Sequence, residues 1–423
     1  MAKQQIEVCS FCHKTNKQVK VLIASTGVAI CDGCLTTAQE LAKKKLEGNK
    51  SSEVWDTLTP KNIYDLLNQY IIGQHLAKRV LAVAVHNHIK RVKNNRMNED
   101  IEIDKSNILL IGPTGSGKTY LAQTLAKILQ LPIALGDATT LTQAGYVGED
   151  VENLVARLYQ VSKGDVKLTE KGIVFIDEID KIARRPESAS IGRDVSGEGV
   201  QQGLLKLVDG SEIYVPAQGT KRTLQSEQIL INTKDILFIG GGAFVGLTDI
   251  INRRMRTSGG IGFTRDQEKK DISKEDYNIL QEATEDDIRK FGLIPELIGR
   301  LPIVVPLQKL TEPQLIKILT EPKNALIKQY VRLFEENGVD LSFSADALHM
   351  IANHAIKIDL GARALRRLME KILLEPMFEA ADLSTKKLEV TTKMVEDGMT
   401  VFKRIGLADE PVAEVADLSA AIG

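Results

Sequence analysis

The fold of this chain is decided by Ile108–Thr124, ILLIGPTGSGKTYLAQT, in which four apolar residues lead into a glycine-rich turn and then into a helical pattern. This order predicts a strand, a phosphate-binding loop and a helix. The pattern G-x-x-x-x-G-K-[ST] is matched by Gly112, Gly117, Lys118 and Thr119. Glycines let successive backbone NH groups converge on phosphate oxygens, and the helix that follows adds the positive end of its dipole.

The residues of this loop have separate expected roles. Lys118 is expected to contact the β and γ phosphates, and Thr119 to bind Mg²⁺. A glycine-rich turn that binds no ligand is the alternative. On the nucleotide interpretation, the binding residues are Gly112, Pro113, Thr114, Gly115, Ser116, Gly117, Lys118 and Thr119.

A second strand pattern, KGIVFIDE at 171–178, ends in two carboxylates. Its apolar run is typical of a buried parallel strand, and open α/β sheets place their chemistry at the carboxyl ends of strands. Asp177 is expected to hold Mg²⁺ through its water shell, and Glu178 to orient and deprotonate the attacking water. Carboxylates that only cap a helix are the alternative. Because further strand patterns at 131–135 and 234–244 alternate with helical ones, we predict a doubly wound parallel sheet.

All four cysteines fall within the first 34 residues, as two C-x₂-C pairs separated by eighteen residues. This spacing is typical of zinc sites, and four thiolates close a tetrahedral shell around a structural Zn²⁺. Two disulfides are the alternative. Because so small a segment has little core of its own, zinc binding is expected to supply much of its folding energy. The predicted zinc ligands are Cys9, Cys12, Cys31 and Cys34.

Length and charge limit the remaining possibilities. A chain of 423 residues is too long for one ordinary core, so several domains are expected. The formal net charge of -1 gives no global electrostatic case for a nucleic-acid or membrane partner. No apolar run approaches the roughly 20 residues that span a bilayer, and the first ten residues contain no secretory h-region. We therefore predict a cytoplasmic protein.

Composition changes along the chain predict five segments. A helical pattern interrupted at 339–343 begins at a capping box formed by Thr311 and Gln314. The polar stretch before Pro60 is typical of a flexible tether. The predicted segments are a zinc-binding domain at 1–46, a flexible linker at 47–59, a large α/β nucleotide-binding domain at 60–308, a small helical domain at 309–406 and a disordered tail at 407–423.

Two polar loops carry isolated apolar side chains. Tyr146 and Val147 lie between glycines in an acidic loop, and a loop tip anchored on its own domain is one interpretation of them. Ile261 and Phe263 flank Gly262 in a second polar loop, which is typical of an anchor for a partner's pocket. Burial in the domain's own core is the alternative for this pair.

Taken together, the ordered motifs of the chain resemble those of the ClpX family of AAA+ protein unfoldases, over nearly the whole length. They are the zinc motif, GPTGSGKT at 112–119, GYVGED at 145–150, IDEIDKI at 176–182, RDVSGEGVQQ at 193–202, IGF at 261–263 and GAR at 361–363. The resemblance implies an AAA+ P-loop domain with a C-terminal helical subdomain and a treble-clef-like zinc module. It also implies a homohexamer that hydrolyses ATP to unfold tagged proteins and deliver them to the ClpP peptidase.

The resemblance implies roles that the residues alone do not. Arg300 looks like an arginine finger that reaches the neighbouring subunit's γ-phosphate, and Arg363 like a sensor of that phosphate in the helical subdomain. Without the family, each arginine would be interpreted as a surface ion pair. Ile71 and Ile72 would line the adenine pocket, where an apolar surface suits a flat base.

Partner-binding residues are likewise implied by the resemblance. The zinc domain would receive substrates and adaptor proteins. The channel-entrance loop, usually Arg-Lys-His in the family, reads Lys-Arg-Thr here. Substrate contacts in the channel would come from Tyr146, Val147, Lys221 and Arg222, and contacts with ClpP from Ile261, Gly262 and Phe263.

Two other functions are alternatives to this one. A nucleic-acid-dependent ATPase would be expected to carry a basic stripe or an aromatic-basic cluster beside its zinc site, and this chain has neither in its sequence. A remodelling chaperone that works without ClpP would use the same motor. The IGF loop favours the interpretation with a peptidase partner.

Overall fold

The computed structural model describes residues 8–25, 27–39, 55, 58–94, 105–142, 148–184, 197–216, 228–258, 272–358, 360–379 and 387–404. The chain divides into two compact units, Met1–Thr59 and Pro60–Gly423. The predicted tail and most of the predicted linker lie outside the described residues. So do seven predicted contact residues, namely Tyr146, Val147, Lys221, Arg222, Ile261, Gly262 and Phe263.

The first unit is built around an antiparallel hairpin of β1 (Leu22–Ser25) and β2 (Val28–Cys31). A tight turn precedes the hairpin, in which the amide of His13 donates to the carbonyl of Cys9 at 2.9 Å. Helix α1 follows the hairpin directly and covers 32–39. This order of turn, hairpin and helix is that of the predicted treble clef.

The second unit contains a five-stranded parallel sheet with the order β11-β3-β10-β7-β4. Two short parallel pairs, β5-β6 and β12-β13, and one antiparallel hairpin, β8-β9, complete the strands described here. Their bounds are β3 (Ile108–Ile111), β4 (Ile133–Asp137), β5 (Leu141–Thr142), β6 (Glu149–Asp150), β7 (Ile173–Asp177), β8 (Glu212–Pro216), β9 (Gln228–Asn232), β10 (Leu237–Gly242), β11 (Ile303–Pro306), β12 (Asp340–Phe343) and β13 (Lys387–Val390).

Helices surround this sheet and then form a separate bundle. Those of the α/β part are α2 (Pro60–Asn68), α3 (His75–Asn94), α4 (Lys118–Leu129), α5 (Asn153–Val161), α6 (Val166–Thr169), α7 (Glu198–Asp209), α8 (Leu247–Ser258), α9 (Ile272–Gln281), α10 (Glu285–Phe291) and α11 (Pro295–Gly299). Those of the helical part are α12 (Glu312–Thr320), α13 (Leu326–Glu336), α14 (Ala345–Lys357), α15 (Ala362–Glu379) and α16 (Thr392–Arg404). No helix in the described ranges combines the length and the apolar character needed to cross a bilayer.

The central strand β3 is buried on both faces, as its apolar run predicts. All four of its residues have no solvent-exposed area. Leu109 and Ile111 belong to the core that also includes Leu154 of α5 and Leu204 of α7. Because side chains alternate along a strand, Ile108 and Leu110 are buried toward the opposite face. The predicted doubly wound parallel sheet is confirmed.

Two predicted boundaries shift by a few residues. The strand expected at 131–135 covers Ile133–Asp137, because Leu131 is still hydrogen-bonded to the last turn of α4. The Leu131 amide donates to the carbonyl of Ala126 at 3.0 Å, because the preceding Gln130 has a left-handed φ of 54°. The strand within 234–244 is likewise shorter than the apolar run. The capping box at Thr311 is present, since the Thr311 amide donates to the Gln314 side chain at 3.0 Å.

A buried carboxylate, Asp287 of α10, joins this helix to Arg254 of α8. It accepts hydrogen bonds from the Nε of Arg254 at 3.0 Å and from the Thr284 hydroxyl at 2.7 Å. Burial raises the pKa of this carboxyl. Hydrogen bonds from Thr284 and Arg254 outweigh that effect and hold the pKa below its ordinary value of 3.8.

We expect Asp287→Asn to lower the free energy of unfolding by about 1–3 kcal/mol, because it leaves Arg254 without its buried anion. A carboxyl with a depressed pKa stabilises the fold above its unfolded pKa, and this contribution is lost as the pH falls through the lower folded pKa. The difference between the two proteins should therefore be complete above about pH 4 and shrink below it. Urea denaturation at several pH values measures it, with the exposed Asp286→Asn as the control. A difference that stays constant with pH would contradict the role of this charge.

Candidate functional site

The glycine-rich loop connects the carboxyl end of β3 to α4 through residues that only glycine suits. Gly115 has a φ of 74° and Gly117, which caps α4, a φ of 98°, both in the left-handed region. A Cβ on Gly115 would lie 2.1 Å from the carbonyl oxygen of Leu360. The loop is thus in direct backbone contact with the start of α15 in the helical part, where Ala362 donates its amide to Gly115 at 3.3 Å.

Lys118 is the first residue of α4 and its side chain is almost completely buried. Its Nζ donates to the carbonyls of Gly112 at 2.6 Å and Pro113 at 3.0 Å, so the ammonium group curls back over the loop. Burial lowers the pKa of this lysine, and the nearby carboxylate of Asp177 opposes that fall. Negative phosphate oxygens at the loop would further favour the charged form.

Asp177 ends β7 and lies at the centre of the predicted cluster. The Thr119 hydroxyl donates to its Oδ2 at 2.7 Å, and Nη2 of Arg363 lies 3.7 Å from the same oxygen. The structure therefore brings together one residue from α4, one from a strand end and one from α15. An alcohol beside a carboxylate is a donor set that suits Mg²⁺, which keeps several waters and takes few protein ligands.

Glu178 follows Asp177 directly and its carboxylate is exposed. Its φ of 54° is left-handed, a conformation that is uncommon for residues other than glycine. Its amide donates to Oδ1 of Asp177 at 3.0 Å. This turn separates the two acids: Asp177 is held by its neighbours, whereas Glu178 is free of the strand. Such backbone strain often accompanies functional sites.

A cleft of about 560 Å³ opens over these residues, between the α/β part and the helical part. This volume is in the ordinary range for ligand sites, roughly 300–1,000 Å³. Residues 71 and 72, predicted to face adenine, do not line it in this conformation; the adjacent Tyr70 does. The lining residues are Tyr70, Gly115, Gly117, Lys118, Thr119, Tyr120, Gln123, Asp177, Ile318, Pro322, Asn324, Ala325, Leu326, Gln329, Ala362, Arg363 and Arg366.

Several residues of the cleft were not identified from the sequence. The Tyr120 hydroxyl lies 3.2 Å from Oδ1 and 3.0 Å from Nδ2 of Asn324, so a hydrogen bond crosses the cleft from α4 to the helical part. The ammonium groups of Lys127 and Lys323 lie 5.5 and 6.0 Å from the ring centre of Tyr70. These contacts join distant segments, and no local pattern marks them.

Gln74 was also missed. This buried residue has a φ of 52°, and its Oε1 accepts the amide of Gln308 at 3.0 Å. Its Nε2 donates to the carbonyls of Gln308 at 2.9 Å and Ser116 at 3.3 Å. It thereby fastens the phosphate loop to the segment that leads into the helical part. The turn at 71–74 is visible in the sequence, but a partner 234 residues away is not.

Arg300 lies away from this cleft. Its carbonyl accepts a hydrogen bond from Asn107, which directly precedes β3, whereas the phosphate loop follows the other end of that strand. Its guanidinium makes an ion pair with Asp209, with 2.5 Å between Nε and Oδ1. Arg300 and Arg363 were both predicted to contact phosphate, but only Arg363 lies beside Lys118 of its own chain.

The second site is formed by the four cysteines of the first unit. All four are free thiols, and their sulfur atoms lie within 4.8 Å of one another. A tetrahedral Zn²⁺ with Zn–S bonds of about 2.3 Å needs sulfurs roughly 3.8 Å apart, so this arrangement fits the ion. The ligands come in pairs from the turn before β1 and from the junction of β2 with α1.

The electrostatics of these thiols also suit a cation. Burial raises the pKa of Cys9, but the backbone amides of Cys12, Phe11 and Cys31 outweigh burial and lower it to about 6. The neighbouring thiols of Cys12 and Cys31 raise the pKa of Cys34 to about 12. Four sulfurs this close resist carrying four charges unless a metal ion compensates them.

Comparison with known proteins identifies three regions. Residues 103–304 match the family model of the AAA domain (Cdc48 subfamily), residues 7–44 that of the ClpX C4-type zinc finger, and residues 310–393 that of the C-terminal, D2-small domain, of ClpB protein. The zinc finger match confirms the zinc interpretation of the cysteines over two disulfides. The AAA match confirms the predicted ATPase fold.

A relative extends the likeness to nearly the whole chain. The ATP-dependent Clp protease ATP-binding subunit ClpX of Treponema denticola is 47% identical over 407 residues, which are 96% of this chain and 98% of that protein. This coverage joins the zinc finger, the AAA domain and the helical part in one order. The chain therefore belongs to the ClpX family of AAA ATPases, with ATP, Mg²⁺ and Zn²⁺ as its cofactors.

Proposed function

We propose that this chain is the unfoldase of a two-part protease: a homohexamer that recognises tagged proteins, unfolds them through its central channel and delivers them to the ClpP peptidase. One observation carries the proposal. A cleft whose opposite walls belong to the α/β part and the helical part is lined by six of the residues expected to bind nucleotide: Gly115, Gly117, Lys118, Thr119, Asp177 and Arg363. A nucleotide bound between two such walls can change their relative orientation, which is how domain closure produces mechanical work.

The hydrolytic roles are proposed from the sequence motifs, and the geometry around Asp177 supports them. Lys118 and Arg363 supply positive charge where the β and γ phosphates would lie. Thr119 and Asp177 would hold Mg²⁺, which neutralises charge on the phosphates when it is bound. Glu178, exposed next to Asp177, orients the attacking water and accepts its proton. Ile71 and Ile72 are assigned to adenine by resemblance alone.

Arg300 is proposed to act on the nucleotide of a neighbouring copy. It is anchored beside the amino end of β3, and the phosphate loop follows the carboxyl end of that strand. Four residues at about 3.3 Å each separate these ends by roughly 13 Å, which an arginine side chain does not bridge. Completion of the site by a second subunit is consistent with a ring assembly.

The proposed partner contacts rest on the sequence. Tyr146, Val147, Lys221 and Arg222 are assigned to the substrate chain, and the IGF residues to ClpP. The zinc unit is assigned to adaptors and substrates, and several of its apolar side chains are exposed, as expected of a protein-binding surface. They are Phe11, Val21, Ile23 and Val28. A cytoplasmic location stays a prediction.

The decisive test is degradation of a folded, tagged reporter protein with ATP, in the presence and absence of ClpP. The proposal requires loss of the reporter's fold in both reactions and its cleavage only with ClpP. Unfolding without any stimulation of ClpP cleavage would favour the remodelling chaperone instead. A lack of unfolding in both reactions would contradict the motor itself.

We expect Glu178→Gln to lower ATP turnover roughly 10²- to 10⁴-fold, because the amide cannot accept the proton of the attacking water. ATP binding should be retained, since the residues that contact phosphate are unchanged. Turnover and binding of a fluorescent ATP analogue measure the two effects. The matched control is Glu335→Gln, an exposed glutamate of α13. Near-normal turnover would show that Glu178 is only a turn residue.

We expect Phe263→Ala to abolish ClpP-coupled degradation while ATPase and unfolding rates stay within about twofold, because a buried aromatic anchor contributes much of a contact's affinity. Thr264→Ala in the same loop is the control. A parallel fall in ATPase activity and thermal stability would instead place Phe263 in the chain's own core.

We expect Cys31→Ser, or removal of zinc by a chelator, to unfold the zinc unit because metal binding supplies its folding energy. ATP turnover should persist, since the ATPase residues belong to the other compact unit. Zinc content, turnover and adaptor-dependent delivery are measured on the same preparations. Melting of the ATPase unit together with zinc loss would contradict their independence.

A further inference from the structure

The ion pair between Arg300 and Asp209 joins two elements that are far apart in sequence. Arg300 caps the end of α11, and Asp209 is the last residue of α7. The Nε of Arg300 lies 2.5 Å from Oδ1 of Asp209. Among the described residues, no other carboxylate is recorded within ion-pair distance of this guanidinium.

Asp209 is held on a fixed support. The hydroxyl of Thr233, a fully buried residue, donates to the carbonyl of Leu207 at 2.8 Å. The Nζ of Lys105 donates to the carbonyls of Val208 at 3.1 Å and Thr233 at 3.0 Å. The last turn of α7 is therefore fastened to the strand end at 233, and the Asp209 carboxylate projects from a rigid position.

The backbone of Arg300 is fixed as firmly. Buried Asn107 donates its Nδ2 to the Arg300 carbonyl at 2.9 Å and accepts the amide of Phe238 on its Oδ1 at 3.0 Å. Asn107 thereby links residue 300 to the beginning of strand β10 in the central sheet. The same sheet therefore fixes the positions of the Arg300 backbone and of the Asp209 carboxylate that its side chain contacts.

The ion pair itself is poorly suited to a stabilising role. The side chains of Arg300 and Asp209 are 59% and 40% exposed, and exposed pairs contribute little because water and salt screen them. Asp209 also sits at the C-terminus of α7, where the helix dipole disfavours a negative charge. A carboxylate at this position therefore costs helix stability locally. Besides its electrostatic interaction with the Lys105 ammonium, it orients the Arg300 guanidinium.

We propose that Asp209 is a positioning residue for Arg300. By engaging Nε, it directs the guanidinium so that its terminal nitrogens can meet phosphate oxygens bound to the adjacent copy. This inference rests on the proposed function of Arg300 as the group that acts between subunits. It adds that the direction of this arginine is set within its own chain before a neighbour is engaged.

The test compares Asp209→Asn, which removes the charge and keeps the shape, with Asp286→Asn as the matched control. Asp286 forms an exposed ion pair with Arg289, at 2.9 Å, on a helix that does not contribute to the cleft. We expect Asp209→Asn to lower the kcat of ATP hydrolysis about three- to tenfold with little change in KM, because a misdirected group loses transition-state contact. Asp286→Asn should match the wild type. Asp209→Glu should recover part of the loss, because it restores the charge.

A double-mutant cycle with Arg300→Ala separates this inference from the function on which it rests. If Asp209 acts through Arg300, Asp209→Asn should have no further effect when Arg300 is already alanine. Melting temperature and hexamer formation are measured for each variant, and both should equal those of the wild type.

Each other outcome has a definite meaning. An Arg300→Ala protein with normal kcat would overturn the proposed role of Arg300. A defective Arg300→Ala protein beside a normal Asp209→Asn protein would overturn the positioning role alone. A faster Asp209→Asn protein would show that Asp209 restrains Arg300, and an equal loss in both backgrounds would show that it acts elsewhere. Either result would overturn the proposal.

Discussion

The hydrogen bond between Thr119 and Asp177 is the contact on which the ATPase site depends. Its two residues are 58 positions apart, and they meet only because β3, β10 and β7 run parallel and end at one edge of the sheet. The register of the strands determines which residues lie side by side at this edge: Gly242 pairs with Ile111, and Asp137 with Asp177. A slip of one residue in β7 would turn Asp177 to the other face. The apolar runs that bury these strands therefore also determine the geometry of the metal-binding residues.

Sequence patterns predicted the features that depend on residues close together in the chain. The phosphate loop lies between a strand and a helix, and the acids at 177–178 lie at a strand end, as predicted, because each is a short motif whose local sequence determines its local structure. Strand ends were less accurate, as at 131–135, where the left-handed Gln130 let the turn of α4 keep Leu131. The contacts of Gln74 with Gln308 and of Tyr120 with Asn324 depend on how the helical part lies over the loop. A single sequence contains no signal for this packing of the helical part on the loop.

The two metal-binding sites are stabilised in different ways. The cysteine site brings four sulfurs together in a unit whose described residues include few buried side chains, so a cation is expected to offset their repulsion. The nucleotide site has a large apolar core behind it, and its carboxylate is already satisfied by Thr119 and Arg363. The first site is therefore expected to need its ion in order to fold, whereas the side chains of the second already meet through contacts within the protein. This difference suits a permanent zinc ion and a nucleotide that turns over.

A parallel sheet also has a direction, and that direction separates the two arginines. Arg363 reaches the carboxyl edge of the sheet because the helical part folds back over the phosphate loop. Arg300 is fastened to the amino edge through Asn107, and no rotation of its side chain brings it to the loop of its own chain. Both can contribute to one nucleotide only if a second copy presents its amino edge to the first copy's cleft. Head-to-tail contacts of this kind form a ring where the rotation between copies closes, and an open filament where it does not. Strand direction and the position of Arg300 thus support the proposed assembly of several copies.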